Sequence, residues 1–158
     1  MIAVVIVMGS SSDGPVMKVA EETLGGLGVG CEVKVLSAHR TPDALREWVR
    51  GLEGRGVKVV IAAAGGAAHL AGAIAAQTTL PVIGVPLAAA NAIGGGLDAL
   101  LSTVQMPRGI PVETVAVGEA GAANAAILAA QILATADPAL GARVKAMREA
   151  MAAKVLGG

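Results

Sequence analysis

Aromatic side chains are almost absent from this 158-residue chain: it has no phenylalanine, no tyrosine and a single tryptophan, Trp48. It therefore has no platform on which unpaired bases could stack. Its twelve basic and twelve acidic residues cancel, so neither a nucleic acid nor an anionic membrane surface meets an electrostatic footprint. The lone Cys31 permits no internal disulfide. With only two histidines beside it, the clustered ligands of a zinc site are missing too, and Cys31 reads as a small buried strand residue. Charge is scarce in the middle, where Asp98 alone is charged between Lys58 and Arg108. The longest apolar run there, Val59 to Ala76, is still no membrane span. Gly65-Gly66 and His69 interrupt it, and its first half is β-branched like a buried parallel strand. No arginine-led signal is expected before the first strand, so the expected location is the cytoplasm.

What is present is an alternation. Apolar strands are predicted at Ile2 to Met8, Cys31 to Leu36, Val57 to Ala62, Pro81 to Val85 and Thr114 to Val117. Between and after them, helices are predicted at Pro15 to Leu27, Pro42 to Glu53, Ala68 to Gln77, Gly96 to Thr103 and Ala122 to Ala134. Solid apolar strands alternating with amphipathic helices imply a parallel sheet covered on both faces. The expected fold class is α/β: a three-layer α/β/α sandwich on a doubly wound parallel sheet, flavodoxin- or Rossmann-like, in one domain over residues 1–158. A last helix, Ala139 to Val155, follows Asp137-Pro138 as an appendage. The 54% hydrophobic content points to self-association, which would cover apolar surface. A tightly packed, alanine-rich monomer is the alternative.

Chemistry concentrates where strands hand over to helices. In Ser37-Ala38-His39-Arg40-Thr41-Pro42-Asp43 a histidine stands beside an arginine, with Thr41 as N-cap and Pro42 as first helical residue. Ligands of open parallel sheets bind outside the carboxyl ends of the strands, so His39 and Arg40 are expected in that crevice, a proton carrier next to a permanent cation. The first strand ends in Met8-Gly9-Ser10-Ser11-Ser12-Asp13-Gly14, where N–H groups and hydroxyls can converge on a phosphate. The spacing is neither that of a P-loop nor that of a dinucleotide site. Asp13 suits ribose hydroxyls, and plain helix capping by Ser12 or Asp13 is the other reading. Arg40 either grips a phosphate together with Ser10 or pairs with Asp43 or Glu47. After the third strand, Gly65 and Gly66 in Ala64-Gly65-Gly66-Ala67-Ala68-His69-Leu70 allow backbone to approach a small ligand. His69, in the first turn of a helix, reads first as a residue that fixes this loop and second as a proton carrier. Ser102-Thr103-Val104-Gln105-Met106-Pro107-Arg108-Gly109-Ile110-Pro111 is read as a shaped loop whose Arg108 covers the pocket or bridges subunits.

Taken together, these blocks and Gly121-Ala122-Ala123-Asn124-Ala125-Ala126 closely resemble the class I PurE proteins, the N5-carboxyaminoimidazole ribonucleotide mutases of purine biosynthesis. The resemblance spans nearly the whole chain. It implies a three-layer homo-octamer in which the C-terminal helix reaches a neighbouring subunit, and a reaction without ATP, metal or organic cofactor. By resemblance Ser10, Ser37 and Arg40 hold the 5'-phosphate, with Ser12 near it and Asp13 on the ribose. Gly65, Gly66, Ala67, His69 and Leu70 line the substrate and shelter CO2, and His39 is the catalytic proton shuttle. Expected partners are the ribonucleotide, CO2, further copies of the chain and, transiently, the synthetase that makes the carbamate substrate. Two departures stand out: Gly14-Pro15 where relatives commonly carry a tryptophan, and Ala71 where proline usually follows His-Leu. They bear on the shape of the ring pocket and on loop stiffness, and neither removes a functional group.

Fold alone does not separate a mutase from a lyase that carboxylates aminoimidazole ribonucleotide with free CO2, or from a non-catalytic mononucleotide-binding module. A PurE-like domain acting on a nicotinate nucleotide is a narrower option, and it usually carries an N-terminal extension. The Gly-Gly-Ala-Ala-His-Leu block favours class I.

Overall fold

Val4, Val5, Ile6, Val7 and Met8 are all buried, as only a central strand of a sheet covered on both faces can be. In the computed structural model, which describes residues 2–157, this strand is β1 (Val4–Met8). Met1 and Gly158, included in the expected 1–158 domain, lie outside the described residues. There follow α1 (Gly14–Gly26), β2 (Cys31–Val35), α2 (Pro42–Arg50), β3 (Val59–Gly65), α3 (Leu70–Ala75), β4 (Val82–Leu87), α4 (Leu97–Val104), β5 (Glu113–Thr114), α5 (Glu119–Ala134) and α6 (Pro138–Val155). The strands pair in parallel in the order β2-β1-β3-β4-β5, the doubly wound flavodoxin-like arrangement.

Strand periodicity divides the core into two layers. Val4, Ile6 and Met8 face α1 and α5, meeting Met17, Leu24 and the small residues Ala122, Ala125, Ala126, Ala129 and Ala130. Val5 and Val7 face the other way, onto Leu45 and Val49 of α2 and Leu70 and Ile74 of α3. The alanine face of α5 allows α1 and the sheet to approach it closely. At its first turn a methyl group on Gly121 would fall on the Ala116 carbonyl.

The predicted elements shift at their ends for local reasons. β1 begins at Val4 rather than Ile2, and β2 stops at Val35. The helix expected to run to Glu53 stops at Arg50, where Gly51 follows and a 3-10 turn takes over at Glu53–Arg55. β3 starts later and runs to Gly65 because its pairing with β4 continues to Leu87. α3 is shorter than Ala68 to Gln77, since 66–69 form a tight turn with Ala68 N–H on the Gly66 carbonyl and His69 N–H on the Ala67 carbonyl. The strand expected at Thr114 to Val117 keeps only Glu113–Thr114 in regular pairing; Val115 and Gly118 still donate to Gly84 and Pro86. α5 begins three residues early, at Glu119.

α6 is appended outside the sheet. Asp137 Oδ1 accepts from the N–H groups of Ala139 and Leu140 at 3.0 Å each, and Pro138 opens the helix. Arg143 Nε donates to the Leu27 carbonyl at 2.8 Å, and Leu140 and Val144 are buried. Beyond them Met151, Val155 and Leu156 stand in solvent. Among the described residues, no helix is long and apolar enough to cross a membrane.

Gly121→Ala is expected to lower stability by about 1–3 kcal/mol or more, because the blocked atom is backbone and cannot rotate away. Urea unfolding measures this, and an unchanged midpoint would refute the close approach.

Candidate active site

The parallel register brings four strand ends to one edge, and a cleft of about 410 Å³ opens there, where β1 and β3 send their connections to opposite faces. Its wall takes Gly9, Ser10, Ser12 and Asp13 from the loop after β1, and Ser37, Ala38, His39 and Arg40 from the loop after β2. β3 and its loop add Ala64, Gly65 and Ala67, and α3 adds Leu70. Of the residues singled out from sequence, Gly66 and His69 do not line this wall; they lie in the same turn, and His69 reaches the cleft through His39. Arg108 is exposed and off the wall.

The loop after β1 is a self-satisfied turn. Ser10 caps it: its hydroxyl accepts from Ser12 N–H at 3.3 Å and from the Ser12 hydroxyl at 2.9 Å, while Asp13 Oδ2 accepts from Ser10 N–H at 3.1 Å. The capping role belongs to Ser10 with Asp13 in reciprocal support, a capping box, and Asp13 makes no cap bond to α1. Thr41 occupies the N-cap position of α2, yet its hydroxyl turns back to accept from Ser37 N–H at 2.9 Å and donate to the Ser37 carbonyl at 3.1 Å. That bond closes the 37–41 loop and leaves the first turn of α2 without a side-chain cap.

Arg40 ties the two loops together. Its Nη2 donates to the Gly9 carbonyl at 2.7 Å and its Nε to Ser37 Oγ at 3.3 Å. A guanidinium carries five N–H donors, so most remain for a ligand. Among the described residues the ion pairs are Lys18 with Glu22 and Arg55 with Glu32; Arg40 joins neither Asp43 nor Glu47. Its positive charge faces the cleft without a carboxylate in salt-bridge range, a setting that favours an anion. Burial raises the carboxyl of Asp13 above its ordinary value, opposed by the Ser10 N–H and by the nearby charge of Arg40.

The two histidines meet. His39 Nε2 lies 2.9 Å from His69 Nδ1, with ring centroids 4.9 Å apart and planes at 80°. A contact of this kind needs one proton between two nitrogens; if both rings were fully protonated, N–H would face N–H. One ring donates its N–H here and the other accepts, so the tautomer of one fixes that of the other. Sequence reasoning ranked His69 below His39 because the 30 residues between them hide the contact.

The opposite wall is apolar: Ala38, Ala64, Ala67, Leu70 and Ala89 contribute to it. Gly66 takes φ +60°, open to glycine without strain. A side chain at Gly65 would crowd the Ala89 methyl at 3.0 Å and the Leu87 carbonyl at 3.1 Å. Ala89 and Asn91 were missed from sequence, since the strand before them was expected to stop at Val85 and its carboxyl-end loop was not sought. The rule that finds the other three loops applies equally to this one.

The AIR carboxylase family model matches residues 3–154. A protein of Vibrio parahaemolyticus named N5-carboxyaminoimidazole ribonucleotide mutase is 56% identical over 151 residues, covering 96% of this chain and 92% of its own. One of the same name from Escherichia coli K12 is 55% identical, with 97% and 89% covered. The crystal structure of Treponema denticola PurE superposes with a TM-score of 0.86 at 29% identity, over 97% of this chain and 93% of that one.

A carboxyl held above its ordinary value by burial is most favourable to folding when protonated, so its contribution is full below pH 3.8, the ordinary value, and is lost as pH rises through the raised one. Asp13→Asn, which stays neutral and keeps an acceptor for Ser10 N–H, is therefore expected to be more stable than the parent at pH 7. The advantage should shrink towards pH 4. Paired urea titrations at the two pH values check the sign.

Proposed function

Because the chain belongs to the AIR carboxylase family, we propose that it is an N5-carboxyaminoimidazole ribonucleotide mutase of purine biosynthesis. This isomerase moves a carboxylate from the exocyclic nitrogen of the substrate to ring carbon 4. The observation that carries the reading is one cleft holding an Arg40 guanidinium with donors to spare, the Ser10, Ser12 and Ser37 hydroxyls, and a histidine pair. Arg40 with Ser10 and Ser37 suits the 5'-phosphate, Ser12 lies beside it, and Asp13 suits the ribose hydroxyls. Binding energy from that half anchors the ring for reaction.

The chemistry balances around one proton. The carbamate N–C bond breaks, CO2 leaves, and the nitrogen takes a proton from His39. Carbon 4, enamine-like, forms a bond to CO2, and His39 takes the carbon 4 proton as aromaticity returns. Imidazole serves in both steps because its ordinary pKa lies near working pH. With Nε2 of His39 engaged by His69, Nδ1 is the nitrogen left for the substrate. The apolar wall around Gly65, Gly66, Ala67 and Leu70 keeps water from the released CO2.

A lyase that carboxylates aminoimidazole ribonucleotide with free CO2 is the second reading. It is favoured by the family's own description and by the exposure of His39 and Arg40 in the single chain. The proposal also takes in assembly and place. Leu97, Leu101 and Val104 expose an apolar stripe along α4 at the spacing of one helix face, and Ile93 is exposed in the turn before it. With the free end of α6, it supports a homo-oligomer, an octamer by resemblance, working in the cytoplasm and meeting its substrate's synthetase transiently.

Supplied with unlabelled carbamate substrate, labelled bicarbonate and no ATP, the protein is expected to form unlabelled 4-carboxy-5-aminoimidazole ribonucleotide. Labelled product would favour the lyase reading, and no product above background would leave a binding module. His39→Asn should bind nucleotide while kcat falls about 10²- to 10⁴-fold. Light scattering should give a mass several times that of one chain. Leu101→Glu should reduce it, because a charge on the stripe cannot be buried unpaired.

A further inference from the structure

The turn Gly66 to His69 carries Ala67 of the apolar wall and the second ring of the histidine pair, so whatever holds this turn bears on the geometry of both. Within it, Ala68 is buried. Its N–H meets the Gly66 carbonyl at 2.9 Å across a single residue, a tight closure of the γ-turn kind. A second acceptor comes from far away in sequence: Ser102 Oγ, on α4, lies 3.1 Å from Ala68 N.

The same oxygen lies 3.4 Å from the Gly66 carbonyl, 2.9 Å from the Asp98 carbonyl and 3.2 Å from the Ala99 carbonyl. A hydroxyl has one proton and two lone pairs. Ser102 can therefore accept from Ala68 at all times while donating to one carbonyl, either within α4 or across to the turn. Among the described residues, two side chains outside this turn hydrogen-bond to it: His39, through His69 on the cleft side, and Ser102 on the far side. The turn is held between a reacting group and a helix that does not touch the cleft.

We propose that Ser102 is a positioning residue: it fixes the 66–69 turn so that His69 meets His39 and the apolar wall stays closed over released CO2. This rests on the mutase reading above. Ser102 lies outside the cleft wall and far in sequence from the phosphate loops, which are closed by their own bonds between Ser10, Asp13, Ser37, Arg40 and Thr41. Its removal should leave nucleotide affinity nearly intact and spoil what happens after binding.

The test compares Ser102→Ala and Ser102→Thr with the parent in the labelled-bicarbonate assay, alongside amide hydrogen exchange. Ser102→Ala is expected to lower kcat about 10- to 100-fold, the scale on which small misplacements act, with KM nearly unchanged and the labelled fraction of product raised. Exchange should quicken across 66–70 and stay unaltered at 10–13 and 37–41. Ser102→Thr, which keeps the oxygen, should restore all of these. A Ser102→Ala protein that merely melts earlier, with kcat, label fraction and the 66–70 exchange pattern of the parent, would overturn the proposal. If the parent itself makes no product, the mutase reading fails; the exchange pattern still decides whether Ser102 holds the turn.

Discussion

Hydrogen bonding of β1 on both of its edges is the constraint on which the rest depends. Val4 to Met8 pair in register with Cys31 to Val35 on one side and with Val59 to Ala63 on the other. All three strands run the same way, so their exits lie side by side, and Gly9, Ser37 and Gly65 become neighbours without any of them being near in sequence. The ladder ends continue this alignment, with Leu36 N–H on the Met8 carbonyl and Gly9 N–H on the Ala63 carbonyl. Only after that can Arg40 reach the Gly9 carbonyl and His39 reach His69. The side chains that can bond a ligand are polar, while those that bring them together are valines, isoleucines and alanines.

The two sides of the cleft are stabilised differently. The side built by the loops after β1 and β2 is a mesh of local bonds: Ser10 with Asp13, Ser37 with Thr41, and one long side chain joining the two turns. Its loops close on their own bonds with no ligand present, and such preorganisation lowers the entropy lost on binding. The other side is a tight turn with little of its own to hold it, and Ser102 reaches it from α4, a helix that adds nothing to the cleft wall. The two walls of the cleft thus have different supports.

Much of this was legible in the sequence because parallel strands announce themselves by unbroken apolar runs, and parallel pairing follows from their alternation with helices. The loops after β1, β2 and β3 could be singled out because Ser, His, Arg and Gly stand in otherwise apolar stretches. Three things were not legible. The 30-residue separation of His39 and His69 gives no local signal of contact. Asn91 and Ala89 sit after a strand whose end was placed at Val85, since Pro86 reads as a stop although Pro86 continues the ladder beside Ala64. Ser102 reads both as the end of a helix and as the start of the loop to Pro111, whereas α4 runs on to Val104; nothing in its neighbourhood reveals that its hydroxyl serves a turn 34 residues earlier.

Trp48, the lone large chromophore of the chain, sits half-buried on α2 with its indole N–H on Glu32 Oε1 at 3.3 Å, beside the Glu32–Arg55 ion pair. It belongs to the outer edge of the sheet, where β2 has no further strand, and it takes no part in the cleft wall. Intrinsic fluorescence will therefore report whether α2 is seated on that edge and so serve as a folding signal. The cleft itself is optically dark, and occupancy there must be followed through the absorbance of the ligand or the heat of binding.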